Sequence, residues 1–385
     1  MKILSLPRLS GWGLFLAILS MAMPAFADRP TFDTTAQDAY AIDYQTMAVL
    51  LDKNGDKRIP TASLSKLMTV YTAFGYLADG KAKLDDMLPV SEAAWRTGGS
   101  KMFVPYPGEV KIDDLLHGII IQSGNDACVV LAEGLAGSQQ AFVEKMNETA
   151  KKLGLTNSHF ANVNGLPAPD HYSTPHDLAI LTWHLIHDYP QYYHYEKDLD
   201  YTYNGIKQGN RNPLLYKDLG ADGVKTGHTE ESGYSLIGSA VRNDRRIIFV
   251  LNGMQSMKER GQEGERVLDW AFREFKDYTI VKAGEPLDQA PVWMGMQQSV
   301  PVAPTKDALV TLWPGARKDL KVTAVYDHTL AAPVAKGQTV GKLVISSPDI
   351  QEIDIPLQTT ASVDRLGPVG RMAETAGYLL WGSKH

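Results

Sequence analysis

The sequence predicts an α+β fold: an antiparallel sheet flanked by helices, then a small all-β unit, then a terminal amphipathic helix. Three observations predict it. β-Type runs stand near both ends of residues 28–283 with helical spacing between them, which is the pattern of an antiparallel sheet covered by helices. From about residue 284, short β-type runs alternate with Pro and Gly. From Leu366, apolar residues recur at Val369, Met372 or Ala373, Ala376, Leu379 and Leu380, the stripe of one helical face.

The elements follow in order. Residues 39–51 are rich in β-formers, with Asn54-Gly55 and Arg58-Ile59 after them, so a hairpin turning at Asn54-Gly55 is expected. Pro60 stops the strand, and a helix is expected from Ser63 to about Leu77 on the spacing of Leu64, Leu67, Met68 and Tyr71. Residues 113–134 read as a buried helix pair broken at Ser123-Gly124-Asn125. Residues 138–153 read as an amphipathic helix ending at Gly154, and 177–188 as another helix. Gly233–Val241 and Arg246–Leu251 are the strongest strand candidates, and a helix from about Glu263 to Phe275 follows. Residues 28–283, 284–365 and 366–385 are therefore expected as three units. The last is either an interfacial membrane anchor, with Tyr378 and Trp381 at headgroup level, or a helix packed on its own β domain or on a partner.

Residues 1–27 stand apart. Lys2 and Arg8 precede an apolar run from Trp12 to Met23, and Ala25-Phe26-Ala27 ends it. That reads as a secretory signal peptide cleaved before Asp28. The whole chain carries a formal charge of −6 with no basic block, which argues against a nucleic-acid partner. Its single cysteine, Cys128, allows no internal disulfide and lies in an apolar run, where a small buried hydrophobe is the simpler reading than a nucleophile. No metal or organic cofactor is indicated, because the ten histidines lack metal-ligand spacing.

Three short motifs each occur once, in one order: Ser63-Leu64-Ser65-Lys66, Ser123-Gly124-Asn125 and Lys225-Thr226-Gly227. Together they supply a hydroxyl, two amines and a carboxamide, enough for acyl transfer through a serine ester. Ser63 and Lys66 are three apart on an expected helix and share a face. A desolvated amine can lose its proton and act as base. Ser123 can relay a proton, Asn125 can bind a peptide group, and Lys225-Thr226, just before an expected sheet-edge strand, can meet a carboxylate. Each motif alone is common; the ordered set is not.

On these residues the chain resembles the low-molecular-mass penicillin-binding proteins that act as D-alanyl-D-alanine carboxypeptidases. The resemblance extends through Pro60 to Thr69, Leu116 to Ala127, Asn164-Gly165-Leu166 with His171-Tyr172-Ser173-Thr174, and Asp222 to Thr229. It implies a β-lactamase/transpeptidase-like fold and a periplasmic, membrane-surface location. It also implies a peptidoglycan pentapeptide substrate and β-lactams as inhibitors. In that resemblance Ser63 is the acylated nucleophile, Lys66 its base, and Ser123 the proton relay. Asn125, Lys225, Thr226, His228 and Arg260 bind substrate, with Arg260 assigned by position rather than by a sharp motif. A β-lactamase and a peptidoglycan endopeptidase remain alternatives within the same chemistry. A non-catalytic wall-binding scaffold is the alternative of a different class.

Overall fold

The computed structural model describes residues 29–381, with 328 and 349 excepted. The signal peptide expected at 1–27 lies outside the described residues. Strand β1 (Asp38–Asp43) pairs antiparallel with β2 (Val49–Lys53). The hairpin does not turn at Asn54-Gly55 as expected. It turns earlier, because the Asp43 carboxylate accepts from the backbone N–H groups of Gln45 (3.0 Å) and Thr46 (3.1 Å). Asn54-Gly55 serves a second turn, held by Gly55 N–H donating to Asp52 at 2.8 Å. Ile59 then bridges to Ser173.

A 3-10 turn, Ala62–Ser65, runs into helix α1 (Lys66–Ala78). Strand β3 (Met87–Pro89), helix α2 (Glu92–Arg96) and strand β4 (Glu109–Lys111) form a small flap. Helices α3 (Ile112–Ile120) and α4 (Asn125–Ala136) flank the break at Ser123-Gly124. Helices α5 (Gln139–Lys152) and α6 (Pro175–Asp188) follow, then a hairpin of β5 (Asp200–Tyr203) and β6 (Ile206–Gly209). Strands β7 (Ala221–Thr229), β8 (Gly233–Arg242) and β9 (Arg245–Met254) lead to helix α7 (Met257–Glu274). The main sheet has the order β2-β1-β9-β8-β7 and is antiparallel throughout. Lys225-Thr226-Gly227 therefore lies within a strand, and that strand is an edge.

Alternating side chains divide the sheet between two cores. Ile248 and Val250 face the core shared with α1, α3, α4 and α6. Ile247, Phe249 and Leu251 face a second core with Val267, Leu268 and Trp270 of α7. That second core continues into the later strands.

Those strands are β10 (Lys276–Val281), β11 (Asp288–Trp293), β12 (Ser299–Pro304), β13 (Ala308–Leu312) and β14 (Lys321–Tyr326), then β15 (Leu330–Ala331), β16 (Thr339–Ser347) and β17 (Ile350–Thr359). Six of them form a sheet in the order β14-β16-β17-β12-β11-β15. β10 pairs with β13, so the β-rich unit draws its first strand from residues upstream of 284. Helix α8 (Pro368–Trp381) ends the described chain. Its Val369, Met372, Leu379 and Leu380 are exposed by 70–81 %.

Candidate active site

The site is built on the 3-10 turn before α1. That turn presents Ser63 while burying Leu64 and Ser65 beneath it. Thr61, Ser65 and His171 hold it from below. Thr61 and Ser65 share a hydroxyl–hydroxyl bond, and Ser65 Oγ meets His171 Nε2 at 2.6 Å. His171 Nδ1 accepts from Ala161 N–H at 3.1 Å, so the ring is neutral with its proton on Nε2. Burial lowers the His171 pKa to about 4, which matches that assignment. Gly165 closes the turn from the side. It sits at φ +80°, and a Cβ there would lie 1.9 Å from the Ala62 carbonyl oxygen, so the loop approaches this closely only through glycine.

Lys66 opens α1 and is wholly buried. Its Nζ donates to Ser63 Oγ at 2.8 Å and to the Asn164 carbonyl. Among the described residues no carboxylate pairs with it. Burial lowers its pKa to about 8, with Cys128 and Asp126 opposing and Arg211 adding to the fall. An amine of that kind, within hydrogen-bond reach of a hydroxyl, can take its proton.

Ser123 and Asn125 enter from the α3–α4 break. Ser123 adopts φ 62°, a conformation rare outside glycine and often kept at functional positions. Its Oγ is buried and has no hydrogen-bond partner among the described residues. Asn125 Nδ2 donates to the Gly98 carbonyl at 2.8 Å. The adjacent Asp126 carboxylate accepts from the N–H groups of Met102 (2.9 Å), Phe103 (2.9 Å) and Val104 (3.2 Å). It thereby ties the flap loop to the same motif.

The edge strand β7 completes the site. Gly227 packs on the nucleophile turn, and a Cβ there would meet Leu64 Cγ at 3.1 Å and the Thr61 carbonyl at 3.3 Å. Lys225 is buried, and among the described residues its Nζ donates only to the Thr226 carbonyl, at 3.2 Å. Burial first, then Lys66 and Arg211, holds its pKa well below the ordinary lysine value. Thr226 is buried, while His228 is exposed and lies against Tyr234, the rings tilted by 30° with centres 4.0 Å apart. Arg260, in the first turns of α7, lies over the same Tyr234 at 5.8 Å and donates to the Arg211 carbonyl at 3.4 Å. Burial lowers its pKa to about 10.

The structure thus joins Lys66 to Ser63, packs β7 at Gly227 on the Ser63 turn, and sets His228 and Arg260 against one ring, Tyr234, while Ser123 and Asn125 stand at the α3–α4 break. Four further contributors had no role assigned from the sequence. They are the Asn164 carbonyl, the Ser65–His171 brace, Asp126, and Arg211, whose Nη1 donates to Ser100 Oγ at 2.7 Å. Asn164-Gly165 signals a turn in sequence, but nothing local ties it to Lys66. Cys128 is buried in α4, and burial pushes its thiol up to about 11, as suits an inert core residue. Glu230 is exposed on the β7–β8 turn, as is Glu231.

This constellation has relatives. The D-alanyl-D-alanine carboxypeptidase family matches residues 24–256. The chain belongs to that family. The C-terminal domain of penicillin-binding protein 5 matches residues 275–365. Among curated relatives, D-alanyl-D-alanine carboxypeptidase DacC of Escherichia coli is 40% identical, covering 91% of this chain and 90% of its own. Among solved structures, penicillin binding protein 5 from Haemophilus influenzae aligns with TM-score 0.79 and 37% identity, over 87% of this chain and 99% of that one. Penicillin-Binding Protein D2 from Listeria monocytogenes, solved in an ampicillin-bound form, aligns with TM-score 0.58 and 29% identity, over 63% of this chain and 99% of that one. As a member of the carboxypeptidase family this chain is a serine hydrolase of cell-wall peptides, on a fold its relatives share.

Proposed function

We propose that this carboxypeptidase removes the terminal D-alanine from peptidoglycan stem peptides through an ester on Ser63. The observation that carries the reading is the 2.8 Å approach of the Lys66 amine, buried and without a carboxylate partner among the described residues, to Ser63 Oγ. Lys66 takes the hydroxyl proton as Ser63 attacks the penultimate carbonyl carbon. The backbone N–H groups of Ser63 and His228 hold the developing oxyanion. As the C–N bond breaks, Ser123 passes its proton to the departing D-alanine amine and takes up the proton held by Lys66, which returns to the neutral amine. Asn125 and β7 align the peptide. Lys225, Thr226, His228 and Arg260 hold its terminal carboxylate. Water then cleaves the ester, and Lys66 serves again as base. β-Lactams mimic the dipeptide and acylate the same oxygen. The bound-ampicillin form of the Listeria relative supports that extension.

The remaining units follow from this reading. Residues 1–27 direct export, residues 28 to about 275 carry the catalysis, and the β-rich unit to 365 acts as a spacer. Residues 366–385 lie on the periplasmic face of the inner membrane. Support for the last comes from the exposed Val369, Met372, Leu379 and Leu380 on α8. Among the described residues no helix is long and apolar enough to cross a membrane, so α8 would lie in the interface.

Intact mass after mixing with a penicillin tests the chemistry. A slowly decaying adduct, lost in Ser63→Ala, together with D-alanine release from a D-Ala-D-Ala peptide, is expected. Rapid penicillin turnover with no lasting adduct would point to a β-lactamase. Absence of adduct, turnover and D-alanine release would favour the scaffold. Deleting residues 366–385 should release the protein from membranes without changing kcat; a truncated protein that stays bound would end the anchor proposal.

A further inference from the structure

The β-rich unit leaves a tryptophan and a methionine in water side by side. Trp293 is 44 % exposed and Met296 66 %. They flank Met294-Gly295, where β11 turns toward β12. The other large apolar side chains that this unit exposes among the described residues, Val322 and Val325, stand on β14. Three strands separate β14 from β11 in the sheet.

The exposure is built into the fold. The Met294 carbonyl accepts from Leu366 N–H at 2.9 Å, and Met296 N–H donates to the Asp364 carbonyl at 2.8 Å. Between them Gly295 bridges to Arg365. A Cβ on Gly295 would lie 2.7 Å from Val363 Cγ1, so the loop comes this close only through glycine. Across the loop, Val292 N–H donates to the Gln298 carbonyl at 2.8 Å. Residues 293–296 are thus pinned to residues 363–366, which are the root of α8.

That root sets the depth of the loop. Leu366 precedes Pro368, the first residue of α8, by two Cα steps, at most about 8 Å. An interfacial helix buries its apolar face roughly 5–10 Å into the boundary between headgroups and acyl chains. With α8 in that plane, its N-terminal end holds the β11–β12 loop at headgroup level. Tryptophan gains there because its ring leaves water while its N–H stays hydrated. Charge adds little: Arg365 and Arg371 are matched by Asp364 and Glu374, so apolar contact is what this surface offers a partner.

We infer that the β11–β12 loop is a second membrane-inserting element, with Trp293 and Met296 entering the lipid interface beside α8. The occupant of this surface is the bilayer, and the inference rests on the interfacial reading of α8 proposed above. The β-rich unit then stands on the membrane at two points instead of hanging from one helix. Two points fix its tilt. Because its strands share a core with α7 and the main sheet, they also fix how the catalytic cleft faces the wall.

The test uses the mature chain and vesicles of equimolar phosphatidylcholine and phosphatidylglycerol. Cys128 is the single cysteine and is fully buried, so Met296→Cys supplies the accessible thiol for an environment-sensitive fluorophore. On vesicle addition the label should shift to the blue and be quenched by lipids spin-labelled high in the acyl chain. Met296→Glu, at a mostly exposed position, should weaken partition into vesicles about tenfold. Its thermal unfolding and its D-alanine release from a soluble peptide should match wild type, and Met296→Leu should restore partition. A label that stays in water while the chain sediments with vesicles would overturn the inference and assign the patch to a protein partner. So would a Met296→Glu chain that partitions like wild type. A wild-type chain that does not sediment with vesicles would instead remove the interfacial reading of α8 itself.

Discussion

The two faces of the main sheet are buried to a similar degree but filled differently. Toward the helices, the core around Ile248 and Val250 is interrupted by Lys66, Ser123, Asn125, Asp126, Glu196 and Lys225, all under 5 % exposed. On the other face, Phe249, Leu236, Val267 and Trp270 merge with Val300, Val310 and Leu343 of the β-rich unit into a nearly continuous apolar core. Its main polar intrusion is the junction where Arg245 donates to Asp43 at 2.8 Å and to Asp277 at 3.1 Å. Burial of polar groups costs free energy unless they are paired. One face therefore carries that cost where reactivity requires a perturbed amine, and the other supplies the stability that offsets it.

Three measurements would sharpen or break this contrast. The largest effect should come from Lys66→Ala, which removes the base. Acylation should fall on the order of 10²–10⁴-fold, with little loss of thermal stability, since a buried amine is itself a burden. In wild type the acylation rate should climb with pH and level off above about 8, because only the neutral Lys66 accepts the proton. A rate flat from pH 6 to 9 would remove Lys66 from the base role.

Next is Phe249→Ala on the opposite face. Phe249 is fully buried, and its ring fills the space over Gly238, where a Cβ would lie 2.3 Å away. Unfolding free energy should drop by about 3–5 kcal/mol, while kcat/KM of the molecules still folded stays within about twofold. Denaturant unfolding read beside activity checks this. A large change in kcat/KM would show that the two faces are not separable.

The smallest effect concerns the brace under Ser63. The His171 pKa is lowered to about 4 by burial, so between pH 6.5 and 4 the unfolded chain binds the proton and the folded one does not. Stability contributed by the neutral ring is present above pH 6.5 and is lost as pH falls toward 4. The loss is at most roughly 3 kcal/mol. A His171→Gln variant should lack that part of the acid-side decline. An unchanged slope of stability against pH would exclude the buried neutral state.

Legibility in the sequence followed the range of the interactions. Helical spacing located α3 to α6, because that periodicity is local. The first hairpin was misplaced because two turn signals compete there, and Asp43, not Asn54-Gly55, captures the reversal through its own side chain. Ser63, Lys66, Ser123, Asn125 and Lys225 were legible as motifs. The Asn164 carbonyl beside Lys66 and the His171 brace were not, since each acts on residues far away in the chain.

By itself, then, the sequence determined the chemistry on offer and its address in the chain: one nucleophilic hydroxyl, two amines, a carboxamide, and the elements that bear them. Only the tertiary structure decided what surrounds each amine: burial, the Asn164 carbonyl at Lys66, and the Thr226 carbonyl at Lys225. It also placed Lys225-Thr226-Gly227 on an open sheet edge. The physical reason is that propensity and periodicity act over a few residues, whereas burial and electrostatic coupling depend on what the whole fold packs around a group.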